Sequence, residues 1–150
     1  MPGPSETTHY ELVVPFSPDL VLRALVDFSV RRRRTWPETS HPAVYRVHSL
    51  DASTADVTEG VPFAWSREHY DWSNPRHIKL TQVDSNVARN GLIQYQIEAV
   101  GSGTRIVCDR QRQFFGWRGR LAGTLMLLAG GPILRRQLRN GIQRFAVPPE

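Results

Sequence analysis

The chain has a single cysteine, Cys108, so it closes no internal disulfide and builds no cysteine-based metal site. Such sparing use of thiols fits a reducing compartment, and a cytoplasmic location is expected. No apolar run reaches the roughly 20 residues that a helix needs to cross a bilayer. The longest, Leu121 to Leu134, is interrupted by Gly130-Gly131-Pro132. The start, Met1-Pro2-Gly3-Pro4-Ser5, shows no basic residue followed by an apolar stretch, so no secretory signal is expected. Cofactor motifs are missing as well. There is no His-Glu-x-x-His, and His9, His41, His48, His69 and His77 stand singly. No glycine-rich phosphate loop and no Gly-x-Ser-x-Gly elbow occur; Gly101-Ser102-Gly103 lies between two β-rich runs and reads as a hairpin turn. Neither a metal nor another cofactor is expected, and Cys108 reads as a small core residue rather than a nucleophile.

Lysine is nearly absent too. Lys79 is the only one, so 18 of the 19 basic residues are arginines. The net charge of +5 comes from two segments. Arg31–Arg34 forms one. The other, Trp117 to Ala146, carries Arg118, Arg120, Arg135, Arg136, Arg139 and Arg144 with no acid. Runs of this kind are usually solvated faces, and no nucleic-acid partner is expected. The rival readings are phosphate or lipid contact by Arg31–Arg34 with Trp36, and a peripheral contact of Leu121–Leu134 with an anionic membrane. With 40% hydrophobic and 22% charged residues over 150 positions, the composition is that of one ordinary globular domain.

Residues 1–8 read as a disordered leader and residues 9–150 as the domain. His9–Val14 is rich in β-formers and reads as a strand. Ser17-Pro18-Asp19 is a helix start: a capping hydroxyl, proline at the first helical position and an acid at the positive end. Val21, Leu25 and Phe28 give that helix one buried side. Six β-rich runs follow: Val44–Leu50, Ala55–Glu59, Phe63–Trp72, Arg76–Val83, Leu92–Val100 and Thr104–Phe115. Gly, Asn and Pro mark the breaks, among them Asn90-Gly91, so the runs form an antiparallel meander. The last thirty residues are helical, with leucines at 121, 125 and 128 and a second stripe of Leu134, Leu138, Ile142 and Phe145. The order strand, helix, six strands, long helix predicts an α+β fold.

In this order the chain resembles the START/Bet v 1-like superfamily, specifically its bacterial polyketide cyclase/dehydrase branch, over residues 9–146. The resemblance rests on the opening strand with Ser17-Pro18-Asp19, Trp65-Ser66-Arg67-Glu68 before a Pro-containing turn, Gly103-Thr104-Arg105 and Phe115-Gly116-Trp117. It implies a helix-grip fold, in which a seven-stranded antiparallel sheet wraps round the long C-terminal helix and leaves a cavity for an apolar ligand. Members include lipid carriers, hormone binders and aromatases/cyclases, so the fold implies a cavity and not a reaction.

Two polar stretches are the candidate chemistry. Strand alternation puts Arg67, His69 and Asp71 on one face and Glu68, Tyr70 and Trp72 on the other. Either set could serve the cavity, and a charge ladder on the wet side is the expected role of the outer one. In aromatase/cyclase relatives an arginine near the position of Arg67 is linked to catalysis. On that analogy Arg67, His69 and Tyr70 are the candidate catalytic residues, with Glu68 and Trp72 as ligand contacts. Counting by two from Ile106 and Cys108 puts Arg110 and Arg112 on the packed face. A buried arginine demands a counter-charge, and Glu68 or a ligand acid is the candidate. The alternative is a bulge that exposes both. The sequence thus predicts a helix over 118–145, bent near Gly131, with its leucines toward the sheet. It also predicts a void of about 300 Å³ or more, lined by Ile78, Leu80, Ile93, Tyr95, Ile106 and residues near Leu125. The expected partner is a small hydrophobic ligand, acidic or neutral; monomer and homodimer stay open.

Overall fold

A computed structural model describes residues 5–147. Strand β1 (Ser5–Val14) turns Glu6, Tyr10, Leu12 and Val14 inward and leaves the residues between them exposed or half-buried. Helix α1 (Pro18–Val26) begins where Ser17 Oγ accepts a hydrogen bond from Leu20 N at 3.2 Å, and it buries Val21, Ala24 and Leu25. A single turn, α2 (Arg32–Thr35), precedes the meander. The meander comprises β2 (Arg46–Leu50), β3 (Thr54–Val61), β4 (Ala64–Asn74), β5 (His77–Ser85), β6 (Ala88–Val100) and β7 (Gly103–Phe114), and α3 (Gly116–Ala146) ends it. The strands form one antiparallel sheet in the order β1-β7-β6-β5-β4-β3-β2. Register shifts in β2–β3, β4–β5 and β6–β7 help it curl, and α3 lies on its concave side.

Three sequence expectations change. Residues 5–8, expected in the leader, belong to β1, because Ser5 to Thr8 pair with Gln113 to Arg110 of β7; Met1 to Pro4 lie outside the described residues. Asn90-Gly91 is no hairpin turn. Asn90 adopts φ +56° inside β6 and a register shift separates Arg89 from Leu92, so the pair is a bulge. The turn falls earlier, where Ser85 Oγ accepts hydrogen bonds from the backbone N–H groups of Val87 and Ala88.

The third change concerns α3. It runs as one helix through Pro132, but only its second stripe is core. Leu138 and Ile142 are buried, with Leu134 and Phe145 packed beside them. Leu121, Leu125 and Leu128 face solvent instead. The face they oppose is made of small residues, and Gly119 and Gly123 are buried there. A side chain on Gly119 would collide with the Val87 carbonyl, so the helix sits too close to the sheet for leucine on that side.

Gly141 fixes the other end. A Cβ there would overlap the Trp36 ring, which is buried and donates from Nε1 to Ala24 O at 2.9 Å. Overpacking of this kind costs about 1–3 kcal/mol. Gly131, by contrast, has open space around its Cβ position. In urea unfolding, Gly141→Ala should lower the midpoint clearly, whereas Gly131→Ala, whose methyl meets no neighbour from the rest of the fold, should shift it much less.

Candidate functional site

Between the concave face and α3 lies a cavity of about 290 Å³. Its apolar wall comes from alternate positions of adjacent strands, with Ile78 and Leu80 of β5 beside Ile93 and Tyr95 of β6. Leu25, Met126, Leu134 and Leu138 close it from the helices. Two charged clusters complete the lining.

The first is Arg110 and Arg112 of β7, paired with Glu6 of β1, which is itself outside the lining. Arg110 and Arg112 both face inward, with 11% and 16% of their side chains exposed. The counter-charge is not Glu68 but Glu6, which lies across from Arg112 and is 1% exposed. Arg112 Nε donates to Glu6 Oε2 at 3.1 Å. Arg110 Nε stands 3.5 Å from Glu6 Oε1 and, although buried, has no hydrogen-bond partner. Two guanidinium groups therefore share one carboxylate. Burial, and then repulsion from Arg110, holds Arg112 below the usual arginine range.

The second cluster joins α2 to β3 and β4. Arg32 is buried, and its Nη2 donates to Glu59 Oε1 at 2.7 Å and to the Tyr70 hydroxyl at 3.1 Å. Its Nη1 donates to the Leu25 and Asp27 carbonyls. The Tyr70 hydroxyl donates to Glu59 Oε2 at 2.6 Å. Burial opposes the Arg32 charge, but Glu59 together with Tyr70 and Tyr45 outweighs it and holds the guanidinium above its ordinary range. Burial likewise keeps the Tyr70 phenol protonated, with Glu59 reinforcing it. This triad is internally satisfied.

Glu68 of β4 lines the same cavity as Arg110 and Arg112 of β7. It accepts from Ser66 Oγ at 2.7 Å through Oε1, while its buried Oε2 has no partner. Burial pushes its carboxyl up to about 7; the Ser66 hydrogen bond opposes this, nearby Glu59 adds to it, and Arg112 and Arg110 oppose it more weakly. The carboxyl therefore exchanges its proton near neutrality.

Of the residues singled out in the sequence, Glu68, Tyr70, Ile78, Leu80, Ile93, Tyr95, Arg110 and Arg112 line the cavity. Arg67 and His69 do not. Arg67 Nε pairs with Asp56 at 2.6 Å on the outer face, and His69 is exposed on that same face. Trp72 shares the inner face but packs against Phe28, outside the lining. Ile106 is fully buried between Leu12 and Ile97 on the neighbouring strands, and Leu125 is in solvent. Sequence reasoning missed Glu6, Arg32, Trp36 and Glu59. Counting by two from Ala55 and Val57 would have reached Glu59; nothing local distinguishes Arg32 from its neighbours. Among the described residues no three His, Cys, Asp or Glu side chains stand together as a metal site. No helix of the described residues is long and apolar enough to cross a membrane.

No family model matches the chain, and no curated protein matches it in sequence. Solved structures match it in fold. The Zhui aromatase/cyclase of Streptomyces sp. R1128 superposes with a TM-score of 0.72 at 13% identity, over 95% of this chain and 94% of that one. A START superfamily protein of Mycobacterium smegmatis gives 0.68 at 11% identity, over 92% and 97%. Truncated norcoclaurine synthase of Thalictrum flavum gives 0.69 at 11% identity, over 97% and 96%. The protein thus has the helix-grip fold of START and Bet v 1-like proteins. Enzymes and members named only for the superfamily share it, so the function must be argued from the cavity.

The Glu68 carboxyl gives a stability prediction. Its value in the folded chain, about 7, lies above the ordinary 4.5, so between these values the folded state keeps a proton that the unfolded chain has lost. Stability should fall as pH rises through that window. Melting temperatures at pH 5 and pH 8 should show a clear drop for the native chain and a smaller one for Glu68→Gln.

Proposed function

We propose that the protein binds a small, mostly apolar molecule bearing one acidic group, held inside the cavity as a carrier holds its cargo. The observation that carries this reading is the pair Arg110 and Arg112 on the single carboxylate of Glu6, with Arg110 Nε buried and unpartnered. A desolvated guanidinium without full pairing is costly, and an incoming carboxylate or sulfonate removes that cost. Ile78, Leu80, Ile93 and Leu138 offer an apolar body the complementary surface. A volume of about 290 Å³ suits a ligand of two or three rings or a short chain, at the small end of ligand pockets. A cytoplasmic setting and lipid-like cargo both accord with this reading.

One observation favours a second reading. Glu68, with a carboxyl poised about neutrality and one oxygen unpartnered, is suited to move a proton on a bound carbonyl compound. That would make the protein a cofactor-independent cyclase or dehydratase acting on a poly-β-ketone, with Glu68 in the role first assigned to Arg67 and His69. Turnover of a β-diketone with an inflection near pH 7, lost in Glu68→Gln, supports the enzyme. Binding without turnover supports the carrier.

Two dyes of similar size separate the role of the arginines: anionic 8-anilinonaphthalene-1-sulfonate and neutral N-phenyl-1-naphthylamine. Arg110→Leu should weaken the sulfonate roughly tenfold or more, the worth of a hydrogen bond to a charged group. The neutral amine should change little. Equal losses for both dyes would mark Arg110 as purely structural.

A further inference from the structure

The first half of α3 is apolar on the side that faces away from the protein. Trp117, Leu121, Leu125 and Leu128 share that side at helical spacing, and Leu125 and Leu128 are 59% and 78% exposed. The turn before β4 extends the patch. Phe63 meets Trp117 edge-on with ring centroids 5.7 Å apart, and the Arg118 guanidinium lies over both rings. Further along, the same outward side changes from leucine to arginine, at Arg135, Arg136 and Arg139, all exposed. The segment 117–146 contains no acid.

From this arrangement we propose that the outward face of α3 docks on an anionic lipid bilayer, the leucines entering the interface and the arginines meeting the headgroup phosphates. An exposed row of leucines is costly in water, and among the described residues nothing covers it, as on an interfacial helix. An aromatic pair under an arginine suits the boundary between acyl chains and headgroups. The charge selects the occupant. A second copy meeting this face through the same helix would cover the leucines but offer the arginines no acid, since the segment contains none. An anionic bilayer complements both the leucines and the arginines. Docking would bring the cavity rim to the lipid surface, since Ala64 and Trp65 follow Phe63, and Met126 follows Leu125. The docking itself does not depend on what the cavity holds.

Co-sedimentation of the full chain with vesicles tests it. Binding should be strong to phosphatidylcholine containing about 30 mol% phosphatidylserine, weak to phosphatidylcholine alone, and reduced by salt. The double variant Leu125→Ser/Leu128→Ser, altered only at solvent-facing positions, should melt like the parent and bind these vesicles at least about tenfold less. Its Arg110-dependent binding of the sulfonate dye should be unchanged, which separates this proposal from the cavity reading. Absence of binding by the native chain, or equal binding by the double variant, overturns it. So does a dimer in analytical ultracentrifugation that the double variant abolishes, because a second copy would then cover the face.

Discussion

One buried carboxylate facing two buried guanidinium groups sets the terms for the rest of the structure. Glu6 sits across from Arg112 on the neighbouring strand and within reach of Arg110, so it fastens the beginning of β1 to the end of β7. Removing one partner of a buried ion pair costs about 3–5 kcal/mol, because the other charge stays behind. That constraint explains why polar residues such as Ser5, Thr7 and Thr8 are held in a strand at all. It also sets two guanidinium groups against one carboxylate at one end of a wall that elsewhere carries Ile, Leu and Tyr together with Glu68 and the paired Arg32 and Glu59. The same interaction thus ties β1 to the sheet and is the basis of the anion binding proposed for the cavity.

Much of this was legible in the sequence, and the parts that were not share a physical cause. The alternation from Ile106 through Phe114 correctly turned Arg110 and Arg112 inward, because period two is a local property of a strand. The counter-charge was invisible. Glu6 lies more than a hundred residues away, in a stretch of Ser, Glu and Thr whose pairing is decided by β7 and not by its own propensity. Alternation also divided Arg67 and His69 from Glu68 and Tyr70, yet it could not say which set faced the cavity. That choice depends on the curl of the whole sheet.

The long helix teaches a related lesson. Spacing shows that Leu121, Leu125 and Leu128 share a side, but not which side the protein uses. In the second half of α3 the large residues are inside, with Leu138 and Ile142 against α1 and the sheet. In the first half the small ones are, with Gly119 against the Val87 carbonyl. Close approach of backbone to backbone selected glycine there, and the leucines were left on the outer surface. A helix that packs by its smallest residues presents its largest to something else.

The anion binding proposed for the cavity can be tested through Glu6 itself. If that carboxylate competes with an acidic ligand for the two guanidinium groups, Glu6→Gln should lower the melting temperature of the free protein. Calorimetric titration should at the same time show tighter binding of 8-anilinonaphthalene-1-sulfonate, by about tenfold, because the dye then supplies the missing counter-charge. Unchanged or weaker dye binding in a folded Glu6→Gln variant would contradict the account.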